Sequence, residues 1–114
     1  KEKEEFHVIL LDTKHFVIRT EPVTVGLVDR SQIHPREVFR SAIRNNASRI
    51  VLIHNHPSGD PTPSKQDIAA TTNLVKSGDI VGIDVVDHVV MGKRTDGRQG
   101  GSDFLSFREE KMLS

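Results

Sequence analysis

Apolar positions along the chain fall into short runs that predict strands and turns at its start. Phe6 to Leu11 is a strand-like run, and Asp12 to Lys14 has the composition of a turn. Phe16 to Ile18 returns to β-type residues, so the three segments predict a hairpin. Pro22 and Gly26 are expected to interrupt the segment that follows.

The next periodic segment predicts a helix that begins at His34-Pro35, because proline is favoured at the first helical position. Apolar residues are expected to share one face of this helix: Val38, Phe39, Ala42 and Ile43. Asn45-Asn46 is expected to end it.

A candidate site begins where the next strand ends. Ile50 to Ile53 is a continuous apolar run, typical of a fully buried central strand, and His54 follows it directly. Pro57 to Pro63 holds three prolines and one glycine, which predicts a stiff loop. Ser64 then stands at a predicted helix N-cap, with Asp67 three residues later.

The last third of the chain predicts one more helix and further strands. The helix is expected to end at Gly78, and Ile80 to Met91 reads as one or two strands, bent near Asp87-His88. Residues 93–103 form a polar, glycine-rich loop by composition. Phe104 to Leu113 indicates a short terminal helix or a hooked tail.

Composition narrows the class of protein. A length of 114 residues predicts one domain, residues 1–114. No apolar run is long enough to cross a bilayer and no signal-peptide pattern is present, so a cytoplasmic protein without a membrane partner is expected. The absence of cysteine excludes thiolate metal ligands and cysteine nucleophiles.

Charge argues against direct nucleic-acid binding. Sixteen basic residues balance sixteen acidic ones, and the chain has no Trp or Tyr for base stacking.

The first residue is Lys1 rather than Met, and the charged start runs directly into a strand pattern. We therefore expect the chain to be a piece of a longer protein.

Four residues near the predicted strand end have side chains that can converge on a metal. His54 and His56 point to the same side of a strand, and the loop can return Asp67 to them, which leaves a tetrahedral position for water. The histidine pair alone is a weak signal, and Ser64 with Asp67 fits a helix capping box equally well. The joint pattern favours the metal site.

These spacings resemble the signature of the JAB/JAMM (MPN-plus) metalloproteases: His54-x-His56-Pro57, six loop residues, then Ser64-x-x-Asp67. The resemblance implies that His54, His56 and Asp67 bind Zn2+ and that Ser64 stabilises the tetrahedral intermediate. It also implies an α/β fold, with a mixed β-sheet flanked by helices and the layering of cytidine deaminases.

The chain is more similar still to the RadC family, long described as DNA-repair proteins. The matching positions extend along nearly the whole chain: Leu11 to Lys14, His34 to Glu37, Asn46-Ala47, His54 to Asp60, Pro63-Ser64, Asp67, Thr71, Gly82-Ile83, Asp87-His88, Ser106-Phe107 and Glu109. Two features depart from the family: the loop Arg94 to Asp103 is longer and richer in glycine, and the N-terminal helical region of full-length members is missing.

The resemblance also implies an upstream glutamate as the general base. The RadC pattern puts it two residues before the first aromatic of the strand, which selects Glu4. Glu5 is the fallback and Glu2 a weaker candidate, while a solvated charged terminus is the alternative for all three. His88 either orients a metal ligand or is a hydrogen-bonded structural residue, and the second interpretation is favoured.

The function implied is a zinc-dependent hydrolase of peptide or isopeptide bonds, acting on an unidentified peptide or protein substrate. The alternative is a DNA-repair-associated accessory or interaction module whose metal site is occupied but idle. The oligomeric state is left open by the sequence.

Overall fold

The fold of this chain, a computed structural model, is described for residues 6–23, 35–55, 63, 65–92 and 104–109. The elements follow in the order β1 (Phe6–Leu11), β2 (Val17–Val23), α1 (Pro35–Arg44), β3 (Arg49–Asn55), α2 (Lys65–Val81), β4 (Asp84–Met91) and β5 (Phe104–Ser106). The strands form a mixed sheet of order β2-β1-β3-β4-β5, in which β3 and β4 are the parallel pair. The predicted α/β fold with a mixed sheet is confirmed.

One face of the sheet supplies the hydrophobic core, because strand residues alternate between the two faces. The core cluster joins this face to both helices through Phe6, Val8, Leu10, Ile50, Leu52, Val38, Phe39, Ala42 and Leu74, with Ala47 and Ile83. His54 follows Ile50 and Leu52 at the same two-residue spacing and is itself fully buried. The site therefore begins at the end of the core face. The prediction of a fully buried strand is only half right, because every second residue of β3 faces the other side of the sheet and is partly exposed, as Val51 and Ile53 are.

The edge of the sheet accommodates a proline that was expected to break it. β2 runs on to Val23, and Pro22 pairs with His7 of β1. An edge strand tolerates proline because the missing N–H is not needed by a second neighbour. The predicted interruption at Pro22 is therefore wrong, while Gly26 lies outside the described residues.

Helix α1 begins and ends where the sequence predicts. Asn46 adopts a left-handed backbone, with φ 56°, and the Ala47 N–H donates to the Ala42 carbonyl at 2.8 Å, as in a Schellman motif. The predicted buried face is too wide, however. Ile43 is 58% exposed, because the buried stripe of this short helix is limited to Val38, Phe39 and Ala42.

Helix α2 continues past the glycine that was expected to end it. Gly78 lies inside the helix, and a Cβ there would stand 2.3 Å from the Ile83 carbonyl oxygen. The true stop is Gly82, with φ 81°, after which the Ile83 N–H donates to the Gly78 carbonyl at 2.9 Å. Ile80 therefore belongs to the helix rather than to a strand. Neither described helix is long and apolar enough to cross a membrane.

The last strands differ from the prediction in detail. β4 is one strand whose pairing with β3 passes from Val85 directly to Asp87, so the irregularity lies just before the predicted bend. Phe104–Ser106 is strand β5, paired antiparallel with β4, and residues 107–109 form a turn. A terminal helix is therefore wrong for the described residues 104–109.

Candidate metal centre

The structure describes two of the five predicted site residues. His54 lies near the end of β3 on the core face, and Asp67 lies in the first turn of α2. Glu4, His56 and Ser64 lie outside the described residues. The site is therefore built upward from His54 and Asp67.

His54 and Asp67 face each other in the interior. The His54 Nε2 atom is 3.8 Å from the Asp67 Oδ1 atom, and their side chains are 0% and 8% exposed. That distance is too long for a hydrogen bond. It is below about 4.1 Å, the sum of a zinc–nitrogen and a zinc–oxygen bond. An imidazole nitrogen and a carboxylate oxygen of this separation have the right chemistry for one divalent ion and lie within its reach, although two ligands of a tetrahedral zinc would be closer, about 3.4 Å apart.

Stacked rings fix the orientation of His54. Antiparallel pairing sets Phe6 opposite His54, and the two rings stack with centroids 4.1 Å apart and planes 22° apart. On the other side of the site, His88 stacks on Phe107 at 4.5 Å and 10°. The two imidazoles are tilted by 35° with centroids 5.5 Å apart. Buried phenyl rings therefore enclose the histidine pair from both ends.

Polar contacts connect four residues in a buried circuit: His54, His88, Thr71 and Asp67. His54 Nδ1 lies 3.3 Å from His88 Nε2, and His88 Nδ1 lies 2.5 Å from Thr71 Oγ1. The Thr71 hydroxyl also donates to the Asp67 carbonyl at 2.8 Å. All four side chains are buried. The circuit runs from one predicted metal ligand to the other through His88 and Thr71.

His88 is buried and hydrogen-bonded, as its favoured interpretation expects, and the structure adds Thr71, to which the sequence analysis gave no role. His88 touches the predicted ligand His54, because parallel pairing sets it opposite Leu52, on the face that His54 also occupies. Strand register is not readable from one sequence. Thr71 had a usable signal, since residues four apart share a helix face and Thr71 follows Asp67 by four.

A carboxylate on β4 holds the turn that carries Phe107. Asp87 accepts hydrogen bonds from the backbone N–H of His88 at 2.7 Å, the N–H of Arg108 at 3.0 Å and the Ser106 hydroxyl at 2.6 Å. The Phe107 N–H donates to the His88 carbonyl at 2.9 Å. These bonds fix the Phe107 ring against His88.

Within the part of the chain that the structure describes, no three His, Cys, Asp or Glu side chains come together as a group able to hold a metal ion. His54 and Asp67 supply two ligands of the right chemistry. The third predicted ligand, His56, falls in the undescribed segment that follows β3.

Comparison with known proteins gives consistent matches along the chain. A family model for the RadC-like JAB domain matches residues 1–112. A UPF0758 protein of Thermotoga maritima is 52% identical over 112 residues, covering 98% of this chain and 47% of the relative. UPF0758 proteins of Symbiobacterium thermophilum and Methanosarcina mazei are 50% and 42% identical, covering 97% and 99% of this chain but 44% and 46% of themselves. The chain thus spans less than half the length of these curated relatives.

Proposed function

Because this chain belongs to the family of RadC-like JAB domains, we propose that it is a zinc-dependent hydrolase of peptide or isopeptide bonds. The observation that carries the proposal is the buried approach of His54 Nε2 to Asp67 Oδ1 at 3.8 Å. An imidazole nitrogen and a carboxylate oxygen are ligands that zinc takes in proteins, and here both belong to buried side chains that the fold holds near one another.

His54, His56 and Asp67 would hold the ion. Two nitrogens and one oxygen from the protein leave a fourth tetrahedral position open, which is the arrangement of catalytic rather than structural zinc sites. Stacking against Phe6 and the contact with His88 keep the His54 ring in one orientation before any ion binds. A site prepared in this way loses less side-chain entropy on binding.

Zinc in this site would act as a Lewis acid that polarises the substrate carbonyl and acidifies a water molecule. In the proposed mechanism Glu4 accepts a proton from the attacking water and passes it to the leaving amine. Ser64 donates a hydrogen bond to the oxygen that becomes negative in the transition state. The apolar core face beneath His54 keeps water from that side of the site, which strengthens these electrostatic contacts.

A second candidate is the accessory or interaction module with an idle metal site. It shares the metal ligands and differs only in turnover, so the two hypotheses separate by activity and not by metal content. Direct DNA contact would require salt-dependent binding, which a chain of zero formal net charge does not favour.

The proposed function is tested by hydrolysis. The zinc-loaded chain is incubated with a panel of linear peptides and of peptides joined through a lysine isopeptide bond, and cleavage is followed by mass spectrometry. The proposal predicts cleavage that a chelator abolishes and that is absent from His54→Ala. A zinc-loaded, folded chain that cleaves neither class of substrate would favour the idle interaction module.

A further inference from the structure

The Thr71 hydroxyl sets the direction of every hydrogen bond in the buried circuit. A hydroxyl carries one proton, and the Asp67 carbonyl oxygen at 2.8 Å can only accept it. The same hydroxyl oxygen lies 2.5 Å from His88 Nδ1. When the hydroxyl gives its own proton to the carbonyl, Thr71 accepts from His88, and Nδ1 of His88 carries a proton.

The proton position on His88 then fixes that on His54. A neutral imidazole with its proton on Nδ1 has a lone pair on Nε2, which accepts. His88 Nε2 lies 3.3 Å from His54 Nδ1, so His54 Nδ1 must be the donor. A neutral His54 protonated on Nδ1 has its lone pair on Nε2, the atom that lies 3.8 Å from the Asp67 carboxylate.

We infer that Thr71 and His88 form a tautomer relay that holds His54 with its Nε2 lone pair toward Asp67, in the form that binds a metal ion. Metal binding requires the unprotonated nitrogen, and the hydrogen bond made by the other ring nitrogen decides which one that is. Thr71 and His88 are positioning residues in this account. The inference rests on the proposed function for its consequence, zinc binding, but not for the tautomer itself.

Helix α2 fixes the position of Thr71 relative to Asp67. Thr71 and Asp67 are four residues apart on α2, so the hydroxyl that orients His88 is bonded to the carbonyl of the residue that faces His54. Histidine ligands in metal sites commonly donate their second nitrogen to a carboxylate or a carbonyl. Here a second imidazole takes that place, with its own orientation set by a threonine.

Two other proton arrangements are rivals: a Thr71 hydroxyl that donates to His88 Nδ1 instead of to the carbonyl, and a charged His88. Both leave the proton of His54 on Nε2. With protons on both nitrogens, His88 would donate to His54 Nδ1 and leave the proton of His54 on Nε2, toward Asp67. That form would have to lose a proton before zinc could bind.

The proton positions are measured first, on the metal-free 114-residue chain at neutral pH, by long-range proton–nitrogen NMR of the imidazoles. His54→Gln and His88→Gln assign the two rings by loss of their signals. The relay predicts that His54 and His88 are both neutral and both protonated on Nδ1. A proton on His54 Nε2, or a doubly protonated His88, overturns it, whether or not zinc binds.

Zinc affinity is measured next by competition with a chromogenic chelator. Thr71→Val keeps the shape of the side chain but removes the hydroxyl, and we expect zinc to bind about 10- to 100-fold more weakly, the usual effect of losing such a partner. Thr71→Ser keeps the hydroxyl and should bind as the parent does. Thr72→Val is the matched control on the same helix.

The outcomes separate the relay from the proposed function. Equal zinc affinity in the parent and Thr71→Val, with both folded by circular dichroism, overturns the relay while leaving the zinc site intact. A parent chain with the predicted tautomers that binds no zinc overturns the proposed function and leaves the tautomer relay standing. If Thr71→Val does not fold, the NMR measurement on the parent chain decides.

Discussion

The Ser106 hydroxyl donates a hydrogen bond to Asp87 Oδ2 at 2.6 Å, which joins β5 to β4 beside the candidate metal centre. The same hydroxyl oxygen accepts the N–H of Glu109 at 3.1 Å, so one serine connects the strand to the turn after it. Because this turn presents Phe107 to His88, Asp87 and Ser106 support the His88 ring through its backbone N–H and through Phe107.

Replacing Asp87 by Ala should therefore lower stability and loosen the site together. Three donors lose their acceptor, and leaving such groups unsatisfied lowers the free energy of unfolding by about 1 to 3 kcal/mol. Urea denaturation measures this loss. Asp84→Ala is the control, since that carboxylate is exposed at the start of β4. Equal stability of the two variants would show that the Asp87 bonds contribute nothing.

Gly78→Ala should destabilise the chain although alanine is the better helix former. The new Cβ would stand 2.3 Å from the Ile83 carbonyl oxygen and 3.4 Å from Phe39 Cζ, so α2 and the chain after it must move apart. We expect a loss of about 1 to 3 kcal/mol, typical of overpacking, as a lower thermal midpoint. Ser77→Ala, one position earlier, should keep the parent midpoint to within a few degrees.

Ser64→Ala should affect stability and rate separately. Loss of the predicted N-cap costs about 1 kcal/mol of unfolding free energy, and loss of the oxyanion donor lowers the hydrolysis rate. Ser64→Asp restores a cap without a hydroxyl, so it should regain the stability and not the rate, provided that it still binds zinc. Recovery of both in Ser64→Asp would reduce the role of Ser64 to capping.

Glu4→Gln should keep zinc and lose hydrolysis by about two to four orders of magnitude, the usual contribution of a general base. Glutamine retains the size of the side chain but cannot take a proton at neutral pH. Glu5→Gln is the matched neighbour and should keep the parent rate. If Glu5→Gln is inactive and Glu4→Gln is active, the general base is Glu5 and not Glu4.

Local chemistry in the sequence was enough to predict the helix ends set by Pro35 and Asn46, whereas the mixed sheet was expected from the family resemblance. It was not enough for Gly78 and Pro22, whose positions depend on tertiary neighbours. Glycine usually ends a helix, yet Gly78 is required because the chain folds back over it. Proline usually ends a strand, yet Pro22 sits at an edge where its missing N–H costs little.

The residues of the candidate site that are close in sequence could be predicted, whereas the residue contributed by another strand, His88, could not be placed. His54 and Asp67 lie thirteen residues apart in the sequence, at a predicted strand end and a predicted helix start, so their approach could be expected. His88 is thirty-four residues from His54, and only the parallel register of β3 with β4 sets the two rings in contact. This contact could not be read from an Asp-His pair alone.

The zinc content of the purified chain is the direct test of the proposed metal centre. The chain is purified without chelators or a metal-affinity tag and analysed by inductively coupled plasma mass spectrometry. The proposed zinc site predicts about one zinc per chain in the parent and in His7→Ala, whose side chain lies on the opposite face of β1 from Phe6. It predicts loss of that zinc in His54→Ala and Asp67→Ala. Zinc that persists in both of these variants, or a parent that binds none when zinc is supplied, would contradict the account.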